Sequence, residues 1–221
     1  METKKLSKQL CIFCKEPIQA SNLRCPSCGL SQQPRTLVDW EIEELLRRKI
    51  IIVEPILNLE EQLNPGGLDL RLDTRIREFK FSEKESIDPS QHVLEHEYYI
   101  YKELELSKKE CYILHPGEFV LAQSFECICL PKFILAGLDG RSSFGRLGVV
   151  VHATAGSIDP GFHGHIIFEL SNLAKMPIKL RPLSRLARLV FHVTEKCKKP
   201  YRGRYQYQSK VKPSRSYLDK N

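Results

Sequence analysis

The sequence contains no hydrophobic run long enough to cross a bilayer. A membrane-spanning helix needs about 18 or more consecutive apolar residues, and no stretch of the 221-residue chain approaches that length. The first ten residues, METKKLSKQL, carry charge but are not followed by the apolar segment of a secretory signal. These absences argue against a helical membrane protein, and we expect the protein to be cytoplasmic.

Helical periodicity is nearly absent after residue 68, and the chain has no internal repeat. Short segments of β-type composition alternate instead with turn residues, for example over residues 68–81, 111–130 and 185–193. Many short strands at this spacing are typical of an all-β sandwich, jelly roll or barrel. We therefore predict a mainly β fold. One helix is predicted before these strands, with Asp39 as its N-cap.

A disulfide framework is not expected, because eight cysteines in a chain without a secretory signal point to metal or to free thiols. Cys11, Cys14, Cys25 and Cys28 form two C-x-x-C pairs, CIFC and CPSC. Four thiolates can hold a tetrahedral Zn²⁺, although the ten residues between the pairs are fewer than usual. We predict a zinc-ribbon-like module over residues 1–32 whose metal supplies its folding energy. Two redox-active pairs are the alternative.

Acidic residues are nearly missing from the end of the sequence. Residues 196–221 hold nine lysines and arginines and one acid, Asp219, in a chain of net charge +7. Aromatic residues lie between these cations, so the segment could bind nucleic acid through phosphate contacts and stacking. It could also fold over a polyphosphate ligand or remain a disordered, solubilising tail. Composition alone leaves all three interpretations open.

The stretch DGRSSFGRLG, residues 139–148, gathers anion-binding groups directly after an apolar segment. Arg141 and Arg146 offer forked guanidinium donors, while Ser142 and Ser143 offer hydroxyl groups. Three glycines let the backbone approach a ligand closely. This inventory suits a polyphosphate, and a solvated turn with ordinary surface arginines is the alternative.

The order of five motifs along the chain is more specific than any one of them. They are NPGGLDLRL (64–72), LHPGEFVLA (114–122), LDGRSSFGRLG (138–148), HATAGSIDPGFHGHIIFELSN (152–172) and PYRGRYQYQ…PSRSY (200–217). Together they resemble the dCTP deaminase branch of the trimeric dUTPase superfamily, over about residues 36–218. The resemblance implies a dUTPase-like distorted β-barrel or jelly roll. Gly156 and Ser157 stand where members that stop at dUTP usually carry a His-Arg pair, so the sequence is most similar to the bifunctional, dUMP-forming members.

The resemblance implies a deaminase that works without a catalytic metal. Glu169 matches the general base for the water that attacks cytosine, and Arg146 matches the arginine that pairs with it. Ser142 would hydrogen-bond this water, which the Ala155 carbonyl would help to orient. Asp159 matches the aspartate near the sugar 3′-hydroxyl. The alternatives are a glutamate on the solvent face of an edge strand and an aspartate that only caps a turn.

The resemblance also implies a nucleotide-binding set and its partners. The set is Arg141, Ser142, Ser143, Phe144, Gly145, Arg146, Ala155, Asp159, Ile167, Phe168, Glu169, Tyr201, Arg204 and Gln208. Arg204 stands where a lysine is usual, which keeps the charge and alters the geometry. Mg²⁺ would accompany the triphosphate, held mostly by phosphates and water. A homotrimer is expected, because active sites in this family lie between subunits.

Two places depart from the family pattern. Gly66 and Gly67 replace the usual small alanine or serine residues. In RPLSRLARL, Leu183 replaces a glycine and Arg188 replaces a glutamine that lies near the nucleotide in bifunctional members.

These observations divide the chain into a four-cysteine module (1–32), a β domain with an N-terminal helix (33–195) and a basic tail that closes over nucleotide (196–221). We expect the enzyme to deaminate dCTP and then release pyrophosphate, supplying dUMP for thymidylate synthesis. The alternatives are a deaminase or dUTPase alone, or a non-catalytic dNTP sensor whose zinc ribbon contacts a protein. A module that binds nucleic acid through the ribbon and the tail is a further alternative.

Overall fold

The computed structural model describes residues 8–19, 22, 24–80, 86–92 and 98–218. The first seven residues of the predicted four-cysteine module and the last three of the predicted tail, including Asp219, lie outside these ranges. None of the helices in the described residues has the length and apolar character needed to cross a membrane.

The prediction of a mainly β chain is confirmed. The strands are β1 (Lys8–Leu10), β2 (Pro17–Gln19), β3 (Arg35–Thr36), β4 (Ile52–Glu54), β5 (Leu63–Asn64), β6 (Gly67–Phe79), β7 (Tyr99–Glu103), β8 (Tyr112–Leu114), β9 (Phe119–Cys129), β10 (Ile134–Gly140), β11 (Val149–Val150), β12 (Ser157–Ile158), β13 (His163–Asn172), β14 (Ile178–Leu180) and β15 (Arg185–Val193). The helices are α1 (Asp39–Arg47), α2 (Leu59–Gln62) and α3 (Ser142–Gly145), and a 3₁₀ turn covers Ser216–Leu218.

One sheet of eleven strands forms the body of the molecule. Its central order is β11-β13-β9-β6-β15-β10-β12, and β3, β4, β5 and β7 pair with strands of this path. Every pairing in it is antiparallel, for example His192↔Thr36 between β15 and β3. The sheet curls as a half-barrel around a large buried core, and Tyr99, Leu121 and Val211 form a second, small cluster. β1 with β2 and β8 with β14 form two separate pairs.

The predicted helix exists, but its N-cap is wrong. The N-cap is Val38, and Asp39 is the first helical residue, whose Oδ1 accepts a hydrogen bond from the Trp40 backbone N at 2.8 Å. Glu41 accepts from the Val38 backbone N at 3.3 Å and forms a buried ion pair with Arg35. The helix therefore receives its carboxylate cap from Glu41, inside the first turn, where the positive end of the helix favours an acid.

The N-terminal module packs directly against the sheet. Phe13 meets Phe133 edge to face with 5.6 Å between ring centroids, and Lys15 Nζ lies 5.7 Å from the centroid of the same Phe133 ring. Cys11 and Cys25 are buried in the core cluster that also contains the sheet strands. The two segments on either side of residue 32 therefore share one core.

Candidate active site

The alternation of β13 places Glu169 away from the core. Its neighbours Phe168 and Leu170 are fully buried, whereas Glu169 is half-buried on the opposite face of the strand. Glu169 Oε2 accepts a hydrogen bond from the Ala153 backbone N at 2.7 Å. Its own backbone N donates to the Val151 carbonyl at 3.0 Å. One carboxylate oxygen is thus fixed by the main chain of a neighbouring loop.

A cavity of about 450 Å³ opens beside this carboxylate, and we call it the glutamate cavity. Much of its wall is apolar and aromatic, including Phe79, Phe119 and Phe162. The predicted site residues in the wall are Ala155, Asp159, Ile167, Glu169, Tyr201 and Gln208. Apolar walls with a few convergent polar groups are typical of small-molecule sites.

Three of the four predicted anion-binding side chains, those of Arg141, Ser142 and Ser143, line a different pocket on the same chain, of about 510 Å³, which we call the arginine pocket. It is lined by Gly66, Asp139, Gly140, Arg141, Ser142, Ser143, Arg188 and Val190. Its Ser142 and Ser143 lie on α3, a single helical turn closed by a hydrogen bond of 3.0 Å from the Gly145 backbone N to the Arg141 carbonyl. The two pockets have no lining residue in common.

A buried carboxylate organises the arginine pocket. Asp69 is 0% exposed; its Oδ2 lies 2.9 Å from Arg141 Nε and 3.6 Å from Arg185 Nη1, and its Oδ1 accepts from Arg188 Nε at 3.1 Å. A buried charge is tolerated only when it is paired in this way. Asp69 is not among the residues predicted from the sequence. The sequence feature that could have identified it is an acidic residue among the leucines of GLDLRL.

Several predicted residues present no side chain to either pocket. Arg146 is exposed at the C-cap of α3, and within the described part of the chain it makes no ion pair with Glu169. Phe144 packs against the core, and the fully buried Phe168 can meet a ligand only through its backbone. Gly145 has no side chain to offer. One copy of the chain therefore does not form the predicted Arg146–Glu169 pair.

The C-terminal tail is folded against the sheet beside the glutamate cavity. Gln208 Nε2 donates to the His165 carbonyl at 2.8 Å, and the Gln208 carbonyl accepts from the His165 backbone N at 3.0 Å. Val211 is fully buried. The described tail, as far as Leu218, is therefore ordered, and the interpretation as a disordered tail is wrong for these residues.

Two glycines allow this close approach. Gly161 has a φ of +90°, and a Cβ there would lie 2.7 Å from Pro200 Cβ. Gly164 has a φ of +152°, and a Cβ there would lie 3.0 Å from the Gln208 backbone N. Both the dihedral angle and the space therefore require glycine, and the motif PGFHG shapes the surface on which the tail lies.

Tyr201 and Arg204, the other two tail residues of the predicted nucleotide-binding set, differ in whether they line a pocket. Tyr201 lines the glutamate cavity, with its ring centroid 5.7 Å from that of Phe162. Arg204 does not line either pocket, and its Nη1 donates to the Arg215 carbonyl at 2.6 Å. Arg204 would have to exchange this partner in order to reach a nucleotide.

The four predicted metal ligands meet in space. The Sγ atoms of Cys11, Cys14, Cys25 and Cys28 all lie within 4.8 Å of one another. The Cys11–Cys28 and Cys14–Cys25 sulfur distances are both 3.6 Å. Tetrahedral zinc with Zn–S bonds of about 2.3 Å separates its sulfurs by about 3.8 Å. This four-cysteine cluster can therefore hold a metal ion of this kind.

The thiols of this cluster differ in acidity. Burial opposes ionisation of Cys25, but hydrogen bonds from the backbone N–H groups of Cys28 and Ser27 and from neighbouring thiols lower its pKa to about 6. Burial raises the pKa of Cys28 and of Cys14. A cation is what would allow all four sulfurs to be thiolates together.

A buried glutamate outside both pockets links α2 to the sheet. Glu126 accepts hydrogen bonds from the Arg71 backbone N and from Gln62 Nε2, both at 2.9 Å. Burial nevertheless raises its pKa to about 7. Because it lines neither pocket, we assign it a structural role.

Comparison with known proteins identifies the family of this chain. Residues 36–194 match the family model described as dCTP deaminase-like. A protein of Methanosphaera stadtmanae named dCTP deaminase, dUMP-forming, is 42% identical over 166 residues, which is 75% of this chain and 83% of that protein. A protein of Nocardia farcinica with the same name is 42% identical over 189 residues, 83% and 92% of the two chains. The fold is similar to the crystal structure of 2′-deoxycytidine 5′-triphosphate deaminase from Agrobacterium tumefaciens, with a TM-score of 0.57 and 24% identity over 73% of this chain and 49% of that chain.

Proposed function

Because this chain belongs to the dCTP deaminase-like family, we propose that it converts dCTP to dUMP, by deamination of the base followed by release of pyrophosphate. The observation that carries the proposal is the glutamate cavity, whose wall holds both Glu169 and Asp159. These are the two carboxylates that the two hydrolytic steps require. The dUMP formed would supply thymidylate synthesis.

Glu169 acts in the first step as general base and then as general acid. Its carboxylate removes a proton from water as the water oxygen attacks C4 of cytosine, and it then gives the proton to the amino group, which leaves as ammonia. The hydrogen bond from the Ala153 N–H holds Oε2, so that Oε1 is available to the water. The carbonyl of Ala155, in the same wall, helps to orient that water.

Asp159 serves the second step. It is exposed at the turn that precedes β13 and belongs to the wall of the glutamate cavity. There its carboxylate contacts the sugar 3′-hydroxyl and orients a second water toward the α-phosphorus. Attack of that water breaks the bond between the α- and β-phosphates, and pyrophosphate leaves. Ser157, in the same wall, and Gly156 support this bifunctional assignment.

A complete site needs more than one copy of the chain. The arginine pocket and the glutamate cavity share no lining residue, and Arg146 does not reach Glu169 within one copy. A homotrimer would place Ser142 and Arg146 of one copy beside Glu169 of the next. The docked tail would then close the site over the base, through Tyr201 and Gln208.

The proposal includes two metals in different roles. Zn²⁺ in the four-cysteine cluster is structural, because four sulfur ligands leave no open position, and it braces the contact of Phe13 with Phe133. Mg²⁺ arrives with the triphosphate. Apart from the four-cysteine cluster, the described residues contain no group of three or more potential metal ligands close together. Phosphates and water would therefore supply most of its ligands.

The test is incubation of the purified protein with dCTP and Mg²⁺ and separation of dCTP, dUTP and dUMP by chromatography over time. We expect dUMP without accumulation of free dUTP. Accumulating dUTP would show a deaminase alone. If dCTP persists, a parallel incubation with dUTP decides between a dUTPase and a nucleotide sensor without catalysis.

A further inference from the structure

We propose that Arg188 is a second phosphate-binding arginine of the arginine pocket, positioned by Asp69 and given room by Gly67. The proposal rests on the proposed function in one respect, because it assumes that the arginine pocket receives the polyphosphate of a nucleotide. Beyond Arg141 and the paired hydroxyl groups, it adds a cation at a position where the family usually has a neutral glutamine.

The position of Arg188 in the sheet aims it at this pocket. In β15, Arg188 pairs with Asp69 of β6 on one side and with Asp139 of β10 on the other. Cross-strand partners project from the same face of a sheet. Arg188 consequently lines the arginine pocket together with Arg141, although 119 positions separate it from Asp69 in the sequence.

Asp69 contacts Arg188 through Nε and leaves the two Nη atoms of Arg188 available to a ligand. The contact with Asp69 Oδ1 uses Nε of Arg188. Among the described residues, no hydrogen bond or ion pair engages either Nη atom of Arg188, and its side chain is 35% exposed. A guanidinium has five N–H donors in a fixed fork, so the part facing the pocket can bind phosphate oxygens in bidentate fashion.

The net charge of the residues in and around the arginine pocket also favours an anion. Asp69 is shared by Arg141, Arg185 and Arg188, so it neutralises one of three cations. Asp139, at the wall of the pocket, makes no ion pair with any of them within the described part of the chain. The two carboxylates and the three guanidinium groups together keep a net positive charge.

Gly67 leaves space for the backbone of Leu189 and for the stem of Arg188. A Cβ at Gly67 would lie 3.0 Å from Arg188 Cγ and 3.1 Å from its Cδ, and 2.4 Å from the Leu189 carbonyl oxygen. The aliphatic part of the arginine therefore lies over the bare backbone of β6. The two departures from the family pattern, a glycine at 67 and an arginine at 188, are in contact and fit each other.

This arrangement predicts selectivity for polyphosphate. The two guanidinium groups that line the pocket, those of Arg141 and Arg188, favour ligands with several phosphates over a monophosphate, since an added phosphate can meet a second charged donor. We expect inorganic pyrophosphate and tripolyphosphate to bind the protein without a nucleoside, and dUMP to bind weakly.

The experiment is calorimetric titration of inorganic tripolyphosphate into the full-length protein and its variants. Arg188→Gln should lower the affinity about tenfold, the loss expected for one charge-assisted contact. Arg188→Lys should recover only part of it, because one ammonium cannot contact Asp69 and a phosphate as a fork does. Arg181→Gln is the matched control: it removes the same charge at an exposed position outside the pocket, and its affinity should stay within about twofold of the natural protein.

Thermal unfolding of each variant separates loss of the contact from loss of the fold. The proposal is overturned if folded Arg188→Gln binds tripolyphosphate as well as the natural protein, or if the natural protein does not bind it. Steady-state kinetics then distinguish this failure from failure of the proposed function. Loss of binding in Arg188→Gln, in a protein that converts neither dCTP nor dUTP, supports the arginine assignment and refutes the reaction. Turnover of dCTP with an unchanged KM in Arg188→Gln refutes the arginine assignment alone.

Discussion

The glutamate cavity and the arginine pocket differ in polarity and in the groups that hold their charged side chains. The cavity is largely apolar, and its carboxylate Glu169 is held by a backbone N–H of a neighbouring loop. The pocket is polar, and its cations are arranged by one fully buried acid, Asp69. A base and a polyphosphate need these two environments, since one favours desolvated stacking and the other charge-assisted donors. On the proposed function, the cavity and the pocket are two half-sites of different chemistry, which assembly of copies would unite.

The largest effect expected concerns the cavity alone. Glu169→Gln should lower ammonia release by about 10³-fold, because the amide cannot accept the proton of the attacking water. Binding of dCTP should change by less than about threefold, since the triphosphate contacts in the arginine pocket remain. Coupled ammonia detection and calorimetry measure the two quantities. Substantial residual deamination would mean that another residue is the base.

The next prediction separates the two steps within the cavity. Asp159→Asn should slow pyrophosphate release by about 10²-fold, because the amide orients the second water poorly, while deamination continues. dUTP should therefore accumulate, as chromatography of the products would show. If dUMP formed at the natural rate, Asp159 would have no part in the mechanism.

Loss of the metal from the four-cysteine module should have a smaller effect, on thermal stability and not on the reaction. Cys25→Ser should remove the metal and lower the midpoint of thermal unfolding by about 5 °C or more, since the metal contributes folding energy. Mass spectrometry of the native protein measures the metal, and Cys197→Ser, which lies outside the cluster, is the control. Deamination below the unfolding temperature should persist, because no ligand of the cluster lines either pocket. Full metal content in Cys25→Ser would contradict the assignment of these cysteines as metal ligands.

The last prediction concerns a group that lines neither the glutamate cavity nor the arginine pocket. Burial raises the pKa of Glu126 to about 7 in the folded protein, above its value of about 4.3 in an unfolded chain. The folded state therefore binds more protons between these values, and the free energy of unfolding should fall as pH rises through this interval, by up to about 3 kcal/mol. Glu126→Gln should flatten this dependence in denaturant titrations between pH 5 and 8. An unchanged slope would show that Glu126 does not titrate there.

Local signals in the sequence were sufficient for several features. The β-type composition of residues 185–193 predicts a strand, and β15 confirms it with Leu186, Leu189 and Phe191 inside. The two C-x-x-C pairs predict a cluster, and their four sulfurs meet. These predictions depend on spacing along one segment, or on two short segments joined by a short loop. The N-cap at Asp39 failed because a cap depends on dihedral angles, which choose between neighbouring residues only once the chain is folded.

Other features depend on partners far apart in sequence. The GRSSFGR motif predicts an anion site, but the acid that arranges it comes from β6 and its further arginine from β15. The motifs also place Arg146 and Glu169 in one site, yet a single copy keeps them unpaired. The tail composition left order and disorder open, and the fit of the tail on Gly161 and Gly164 decided for order.

The sequence by itself therefore determined the family, the mainly β fold and the four-cysteine cluster, because each depends on local patterns or on the order of motifs. Only the tertiary structure decided that Asp69 gathers three arginines and that Gly67 makes room for Arg188. It also decided that the glutamate cavity and the arginine pocket are separate in one copy. The physical reason is that the register of neighbouring strands decides which residues lie beside a buried charge. The separation of these residues along the chain does not predict that register.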